Sequence, residues 1–348
     1  MSDVRADRPM GPGRLASLRE VSENVMSDTA ALDTVLPFTV PELDVRGRVV
    51  ALGPALDAIL ARHDYPEPVA RLLAEAIALT ALLGTSLKFD GRFTVQTRTD
   101  GPVSMLVVDF QTPDGIRAYA SFDATAVAAA VAEGRAAPAD LLGRGHLAMT
   151  IDQGGTMKPY QGVVVLDRTG LEEVAHVWFT QSEQIPTRVR LAVAEVLTRD
   201  TGGIARHAWR AGGLMVQFLP ESEDRIRARD LHPGDAPEGH VHHHVEPDEA
   251  WAEAEALVGT VEDVELTDPE VTAERLLYRL FHERGARVFE RQPLVERCRC
   301  SRERVAGMLA QFTASQVDDM TVDGRIVVTC EFCSTHYEFD PATVHAGG

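Results

Sequence analysis

The chain has 348 residues, with 34 Lys and Arg against 53 Asp and Glu, a formal net charge of −19 and a pI near 5.0. That balance excludes nucleic acid as an expected partner, because phosphate contacts need clustered cations. No run reaches about 18 consecutive apolar residues, so no membrane span is expected, and Met1–Ser27, charged throughout and without an apolar core, does not read as a secretory signal.

Hydrophobic residues make up 45% of the chain, enough for a sizeable core, and the length implies more than one folding unit. Residues 1–34 are polar, poor in aromatics and read as a flexible extension. From Phe38 the pattern is globular. Pro66 and Pro68 precede Val69, Leu72, Leu73, Ala76, Leu79, Leu82 and Leu83, one face of a helix ending near Gly84. Phe93–Thr97, the turn signal Asp100-Gly101, Val103–Phe110 and Ile116–Phe122 predict a strand meander. Ala124–Ala132 predicts a helix, Leu147–Ile151 and Val163–Leu166 strands, Leu171–Gln181 an amphipathic helix, and Arg188–Val193 and Gly213–Leu219 two more strands. The mixture predicts an α+β fold, with an N-terminal domain over residues 35–220.

Residues 221–244 form an acidic insertion punctuated by Pro233, Gly234, Pro237 and Gly239 and ending in His240, His242, His243 and His244. A second metal site on these histidines is the sharper reading. A solvated loop is the plainer and preferred one, since no nearby Cys or ordered scaffold supports ligation. Residues 245–292 read as an acidic helical linker, with 13 Asp or Glu against 4 Arg over 245–290. Asp268 is the expected helix cap, with Pro269 at the first helical position and Val271, Leu277, Leu280 and Phe281 on one face beside Leu276. Such helices depend on docking against a neighbour.

All four cysteines lie in the last 51 residues, as Cys298-Arg299-Cys300 and Cys330-Glu331-Phe332-Cys333. Two close pairs separated by 29 residues make a four-thiolate zinc site by spacing, one Zn2+ per chain. A core as small as that of residues 293–345 seldom folds unaided and usually needs a metal or disulfides. Ser301 is the expected cap of a helix carrying Val305, Met308, Leu309 and Phe312. Asp323-Gly324 is a hairpin turn, and Ile326–Val328 and Tyr337–Phe339 flank the second pair as strands. His336 could replace a thiolate, but four sulfurs already fill a structural shell, so it reads as a bystander.

The tight Cys-x-Cys spacer and the neighbouring Arg297, Arg299, Arg302 and Arg304 suggest reactive thiolates, since cations lower thiol pKa. Alternatively those arginines only balance the charge of a tetrathiolate. A thiol oxidoreductase is the other reading of Cys330 and Cys333. It wants the first cysteine at a helix N-terminus, whereas this pair sits between strands. A structural zinc-ribbon interaction protein is a further alternative. No paired acid, Ser-His-Asp set or phosphate loop marks an enzyme. Glu183 and Gln184 read as capping at a helix end, and Arg46, Lys88 and Asp90 as salt-bridged framework.

The run Cys298-Arg-Cys300-Ser301-Arg302-Glu303-Arg304-Val305, with the later Cys330-Glu-Phe-Cys333, resembles the zinc domain of the redox-regulated thirty-three-kilodalton chaperonin (heat shock protein 33) family. Val45-Arg-Gly-Arg48, Leu87-Lys-Phe-Asp-Gly91, Tyr160-Gln-Gly162, Gln181-Ser-Glu-Gln-Ile-Pro-Thr187 and Trp209-Arg-Ala-Gly-Gly213 are similar to its N-terminal domain, and Leu277-Tyr-Arg-Leu-Phe-His282 to its middle region. The resemblance implies a cytoplasmic, ATP-independent holdase that is off while four thiolates hold zinc. Oxidation by peroxide or hypochlorous acid would form disulfides, release zinc, unfold the linker and expose a surface for unfolding client proteins in a homodimer. The pairings expected with it are Cys298–Cys300 and Cys330–Cys333, each adjacent in sequence. The extension before residue 35 and the insertion at 221–244 depart from the family pattern.

Overall fold

The computed structural model describes residues 16–17, 31–155, 157–199, 205–219 and 248–344. The His240–His244 cluster and the rest of the 221–244 insertion lie outside the described residues, as does most of the N-terminal extension. Within that extension, Ala16–Ser17 form a short strand, β1. Strands β2 (Thr34–Val40) and β3 (Val45–Leu52) follow as an antiparallel hairpin. Asp33 accepts hydrogen bonds from the backbone N–H of Gly53 and Ala55, opening helix α1 (Pro54–Leu60).

Helix α2 (Glu67–Ser86) starts with Pro68 in its first turn, where a missing N–H costs nothing. Its residues from Val69 to Gly84 are nearly all buried, because a sheet covers it on each side. By length and hydropathy alone it would span a membrane; here it is the core helix of a folded domain. One covering sheet holds β4 (Arg92–Thr99), β5 (Val103–Gln111), β6 (Gly115–Phe122), β7 (Arg144–Asp152) and β8 (Tyr160–Asp167), in the order β6-β5-β4-β7-β8. The other holds β2, β3 and the long hairpin of β9 (Thr187–Arg199) and β10 (Ala205–Phe218). Between β6 and β7 run α3 (Ala124–Ala132), capped by Asp123, and α4 (Pro138–Leu142).

The expected helix from Leu171 to Gln181 is shorter. Helix α5 ends at Trp178 and a π turn takes Phe179–Glu183. The extra residue in that turn lets the consecutive rings of Trp178 and Phe179 both face the core, edge to face at 4.8 Å.

The second face of the β2-β3-β10-β9 sheet carries Leu36, Phe38, Val40, Val45, Val49, Leu214, Val216 and Phe218. These alternate with residues facing α2, as the two-residue strand period requires. Helices α6 (Glu249–Gly259), α7 (Asp263–Thr267) and α8 (Ala273–Phe281) lie over that face. Leu276, Leu277, Leu280 and Phe281 are buried there, with Val271 partly so. The expected cap of α8 is corrected: Thr272 Oγ1 accepts from Arg275 N, while Asp268 accepts from Glu270 N in the turn before. Pro269 therefore sits in that turn and not at the first helical position. Arg284–Glu253, Arg279–Glu265 and Arg291–Glu274 offset part of the acidity.

Gly212 on β10 shows how tightly this layer sits. A Cβ there would lie 2.0 Å from the Leu266 carbonyl oxygen of α7. Gly212→Ala is therefore expected to push α7 off the sheet, at about 1–3 kcal/mol. Hydrogen exchange should rise over 262–268 and stay unchanged over α2.

The chain then straps both sheets. β11 (Arg287–Val288) pairs with β2 and with β1, β12 (Gln292–Pro293) pairs with β2, and β13 (Val295–Glu296) pairs in parallel with β6. The last module holds α9 (Arg302–Leu309), α10 (Ala314–Met320), the hairpin of β14 (Ile326–Thr329) and β15 (His336–Phe339), and α11 (Pro341–Val344).

Candidate metal centre

The first cysteine pair leaves the edge of the β6 sheet directly. Val295 N donates to the Asp114 carbonyl and Arg297 N to the Ile116 carbonyl, so Cys298 emerges from a hydrogen-bonded edge. Cys300 precedes Ser301, whose hydroxyl accepts from Arg304 N and opens α9. The second pair sits in the β14–β15 turn, where Cys330 N donates to the Thr335 carbonyl and Ser334 N to the Cys330 carbonyl. Asp323 and Gly324 take φ of 52° and 74°, the left-handed pair that a tight hairpin turn demands.

These two loops bring all four Sγ atoms within 4.8 Å of one another. Cys298–Cys300 stands at 3.5 Å, Cys298–Cys330 at 3.7 Å and Cys300–Cys333 at 3.3 Å. Metal–sulfur bonds of about 2.3 Å give a tetrahedron with edges of about 3.8 Å, so the donor set and its spacing fit a zinc ion. Beneath it the module buries only Leu309, Val317, Ile326 and Phe339, with a partly exposed rim. So small a core needs the staple.

Hydrogen bonds hold the sulfurs in place. Tyr337 Oη donates to Cys300 Sγ at 3.1 Å, which pushes the phenol up to about 12. Thr335 Oγ1 lies 3.2 Å from Cys333 Sγ. Burial pushes the Cys300 thiol up to about 12, and burial likewise raises Cys330. Burial acts upward on Cys333 too, but the hydroxyl and N–H of Thr335 outweigh it and bring that thiol to about 7. Without a metal, then, three of these thiols do not behave alike. The raised Cys330 and the absence of a helix after it argue against thioredoxin-type chemistry.

The arginines beside the first pair do not gather on its sulfurs. Arg297 pairs with Asp114, Arg299 donates to Gln111 Oε1, Arg302 donates to the Glu338 carbonyl and stacks on Phe339, and Arg304 donates to the Arg299 carbonyl. The cation at the centre is Arg117 of β6, whose Nη1 lies 3.9 Å from Cys298 Sγ. Reasoning from neighbours in sequence missed it, because 181 positions separate the two residues. An alternating Arg on a strand carries no local signal of that contact.

Residue placement elsewhere is plainer. His336 Nδ1 meets Thr329 Oγ1 across the hairpin at 2.8 Å. Gln184 takes a left-handed φ of 52° directly after the π turn, and the side chain of Glu183 is outside the described residues. Arg46 donates to Gln217 Oε1, Asp90 accepts from Thr112 Oγ1, and Lys88 is exposed.

Comparison with known proteins gives the same assignment from another direction. A chaperonin of Caulobacter vibrioides named "33 kDa chaperonin" is 46% identical over 322 residues, covering 91% of this chain and 98% of that one. A protein of the same name from Pseudomonas fluorescens is 36% identical over 321 residues, covering 92% and 94%. The crystal structure of the 33 kDa chaperonin (heat shock protein 33 homolog) from Thermotoga maritima superposes with a TM-score of 0.66 at 20% identity, over 90% of this chain and 97% of that one, and so shares the fold. With the description "Hsp33 protein" matching residues 33–340, the chain belongs to the Hsp33 family.

Proposed function

We propose that the chain is an ATP-independent holdase, not an enzyme, whose client surface is closed in the reduced state by the acidic helices and opened by oxidation of the four cysteines. The observation that carries this reading is the strap at residues 287–297. It joins the sulfur module to the edges of both sheets and continues directly from the helices that cover the apolar face of β2, β3 and β10. Loss of order at the cysteines would thus release the cover.

Cys298, Cys300, Cys330 and Cys333 would hold one zinc ion, which when bound keeps the sulfurs deprotonated and clasps the two loops. Two thiolates give two electrons to one peroxide, the S–S bond forms as the O–O bond breaks, and two protons complete two waters. Four thiolates consume two peroxides. The pairing proposed is Cys298–Cys300 with Cys330–Cys333. All the sulfurs are neighbours in the folded centre, so pairing is decided as the loops part and sequence neighbours stay together. Peptide mapping by mass that found Cys300 joined chiefly to Cys330 or Cys333 would overturn the pairing.

Residues 35–220 would bind clients and form the homodimer of the oxidised state, residues 245–292 would serve as linker and residues 293–345 as the switch. A reducing cytoplasm is the compartment in which such thiols stay unpaired. Light scattering of a heat-unfolding client tests the reading. Peroxide-treated protein should suppress aggregation and reduced, zinc-loaded protein should not. Equal protection by both forms would refute it.

A further inference from the structure

Arg117 joins the N-terminal sheet to the sulfur centre itself, where the strap and its side chains join only the flanking residues. Its Nε and Nη2 donate to Asp109 Oδ2 at 2.9 and 2.6 Å, and both side chains are largely covered, at 15% and 6% exposure. That ion pair fixes the guanidinium on the β5–β6 sheet. The same guanidinium lies 3.9 Å from the ring centroid of Phe332, between Cys330 and Cys333 in sequence, and Nη1 reaches Cys298 Sγ. One cation from the N-terminal sheet thus touches both cysteine loops. Among the described residues it is the only Arg or Lys with a hydrogen bond to a cysteine sulfur.

Other side chains also cross this face: Arg297 pairs with Asp114 and Arg299 donates to Gln111 Oε1. Ser334 Oγ donates to the Arg62 carbonyl, the Tyr119 ring lies tilted to that of Phe332 at 6.5 Å, and Arg62 faces Glu296 at 3.6 Å. None of these groups bonds to a sulfur. Arg117 does. Four thiolates around one divalent ion leave a net charge of −2, whereas two disulfides leave none. The ion pair with Asp109 anchors Arg117 to the sheet and not to the sulfur module, so the cation has no partner that would carry it along with the sulfurs.

We propose that Arg117 is the positioning residue through which the N-terminal sheet reads the charge of the sulfur centre, clamping the module while thiolates are present and releasing it when they become disulfides. The inference rests on the zinc-thiolate reading above and adds a residue outside the cysteine module to the switch. A charge-assisted contact in a partly covered site is strong enough for the purpose, roughly twice a neutral hydrogen bond. It also makes docking sensitive to salt, because part of the attraction is Coulombic.

The test uses the full chain, with Arg117→Met, which keeps the stem and loses the charge, and Arg117→Lys, which keeps the charge. Zinc content and thiol count are measured first in each sample. Reduced Arg117→Met should pass zinc to a chelator about tenfold faster than the unaltered chain, the scale expected for one lost charge-assisted bond. It should also exchange amide hydrogens faster at 295–297. Arg117→Lys should recover most of the difference. Added salt should speed release from the unaltered chain and leave Arg117→Met unmoved. In the oxidised form all three should exchange alike, while recovery by Arg117→Lys and the salt response confined to the charged side chain are the outcomes that a merely structural role for Arg117 would not give.

Equal release by Arg117→Met and the unaltered chain would overturn the proposal, as would Arg117→Lys as fast as Arg117→Met, or a difference that persists after oxidation. Should Arg117→Met fold poorly because Asp109 is left unpaired, the double variant Asp109→Asn/Arg117→Met removes that orphan and is held to the same outcomes. An unaltered chain with four free thiols and no zinc would instead refute the functional reading itself.

Discussion

Cys300→Ser will cost the C-terminal module its fold and not merely a ligand. Its hydrophobic centre is Leu309, Val317, Ile326 and Phe339, spread over α9, α10 and the two strands of the knuckle. Everything else in residues 302–344 is partly or fully exposed apart from Cys333 beside it. Zinc-finger modules of this size derive an apparent 10–16 kcal/mol at neutral pH, on the order of their whole stability, from metal binding. The serine removes one thiolate and leaves the Tyr337 hydroxyl facing a neutral oxygen on a shorter bond in place of the sulfur it donates to. Under reducing conditions with zinc in excess, the variant should bind metal at least 100-fold more weakly. Amide protection over 302–339 should be lost while that of α2 and of β4–β7 stays. The two sheets bury their own core around α2, so they do not depend on the module. Retained protection over 326–339 in the metal-poor variant would show that the module stands without its staple, contrary to this account.

The contrast between legible and illegible parts follows from how far information must travel along the chain. The gathering of the four cysteines was legible because each pair sits in one short loop, and the Ser301 cap and the Asp323-Gly324 turn are short-range signals that the structure repeats. The burial of α2 was legible from its apolar run, and the meander from β4 to β6 from its alternation. The cap of α8 was not, because Asp268-Pro269 and Thr272 offer competing starts three to four residues apart, and packing on the sheet decides between them. The end of α5 was missed because a π turn is chosen by the need to bury two adjacent rings, which no helical period records. Least legible of all was the site's charge environment. Arginines adjacent to Cys298 and Cys300 in sequence turn to Asp114, Gln111 and backbone carbonyls, while one from a distant strand takes the place at the sulfur. The straps β11, β12 and β13, of two residues each, are too short for any periodicity to reveal.

Phe281→Ala is expected to open the client surface without any oxidation. Phe281 is fully buried, at 0% exposure, and its ring centre lies 5.9 Å from that of Phe38 on β2, itself 1% exposed. Truncating such a side chain costs about 3–5 kcal/mol through lost transfer energy and the cavity left behind. The loss falls on a layer with little to spare. Its three helices have 11, 5 and 9 residues, all shorter than an isolated helix needs to persist in water. Their stretch of chain also carries a heavy acidic excess. Docking on Leu36, Phe38, Val49 and Leu214 is what orders them, and Phe281 sits at the centre of that docking. The reduced variant should therefore keep four thiols and its zinc, exchange quickly over 249–281, and suppress aggregation of a client where the reduced parent chain does not. Tyr278→Ala is the matched control. That ring is half exposed and stacks only on His282, so it should change neither exchange nor client protection by more than a small margin. A Phe281→Ala protein whose helices have melted yet which still ignores clients would separate the two events. The covered face of the sheet would then not be the client surface, and opening it would be a by-product of the switch.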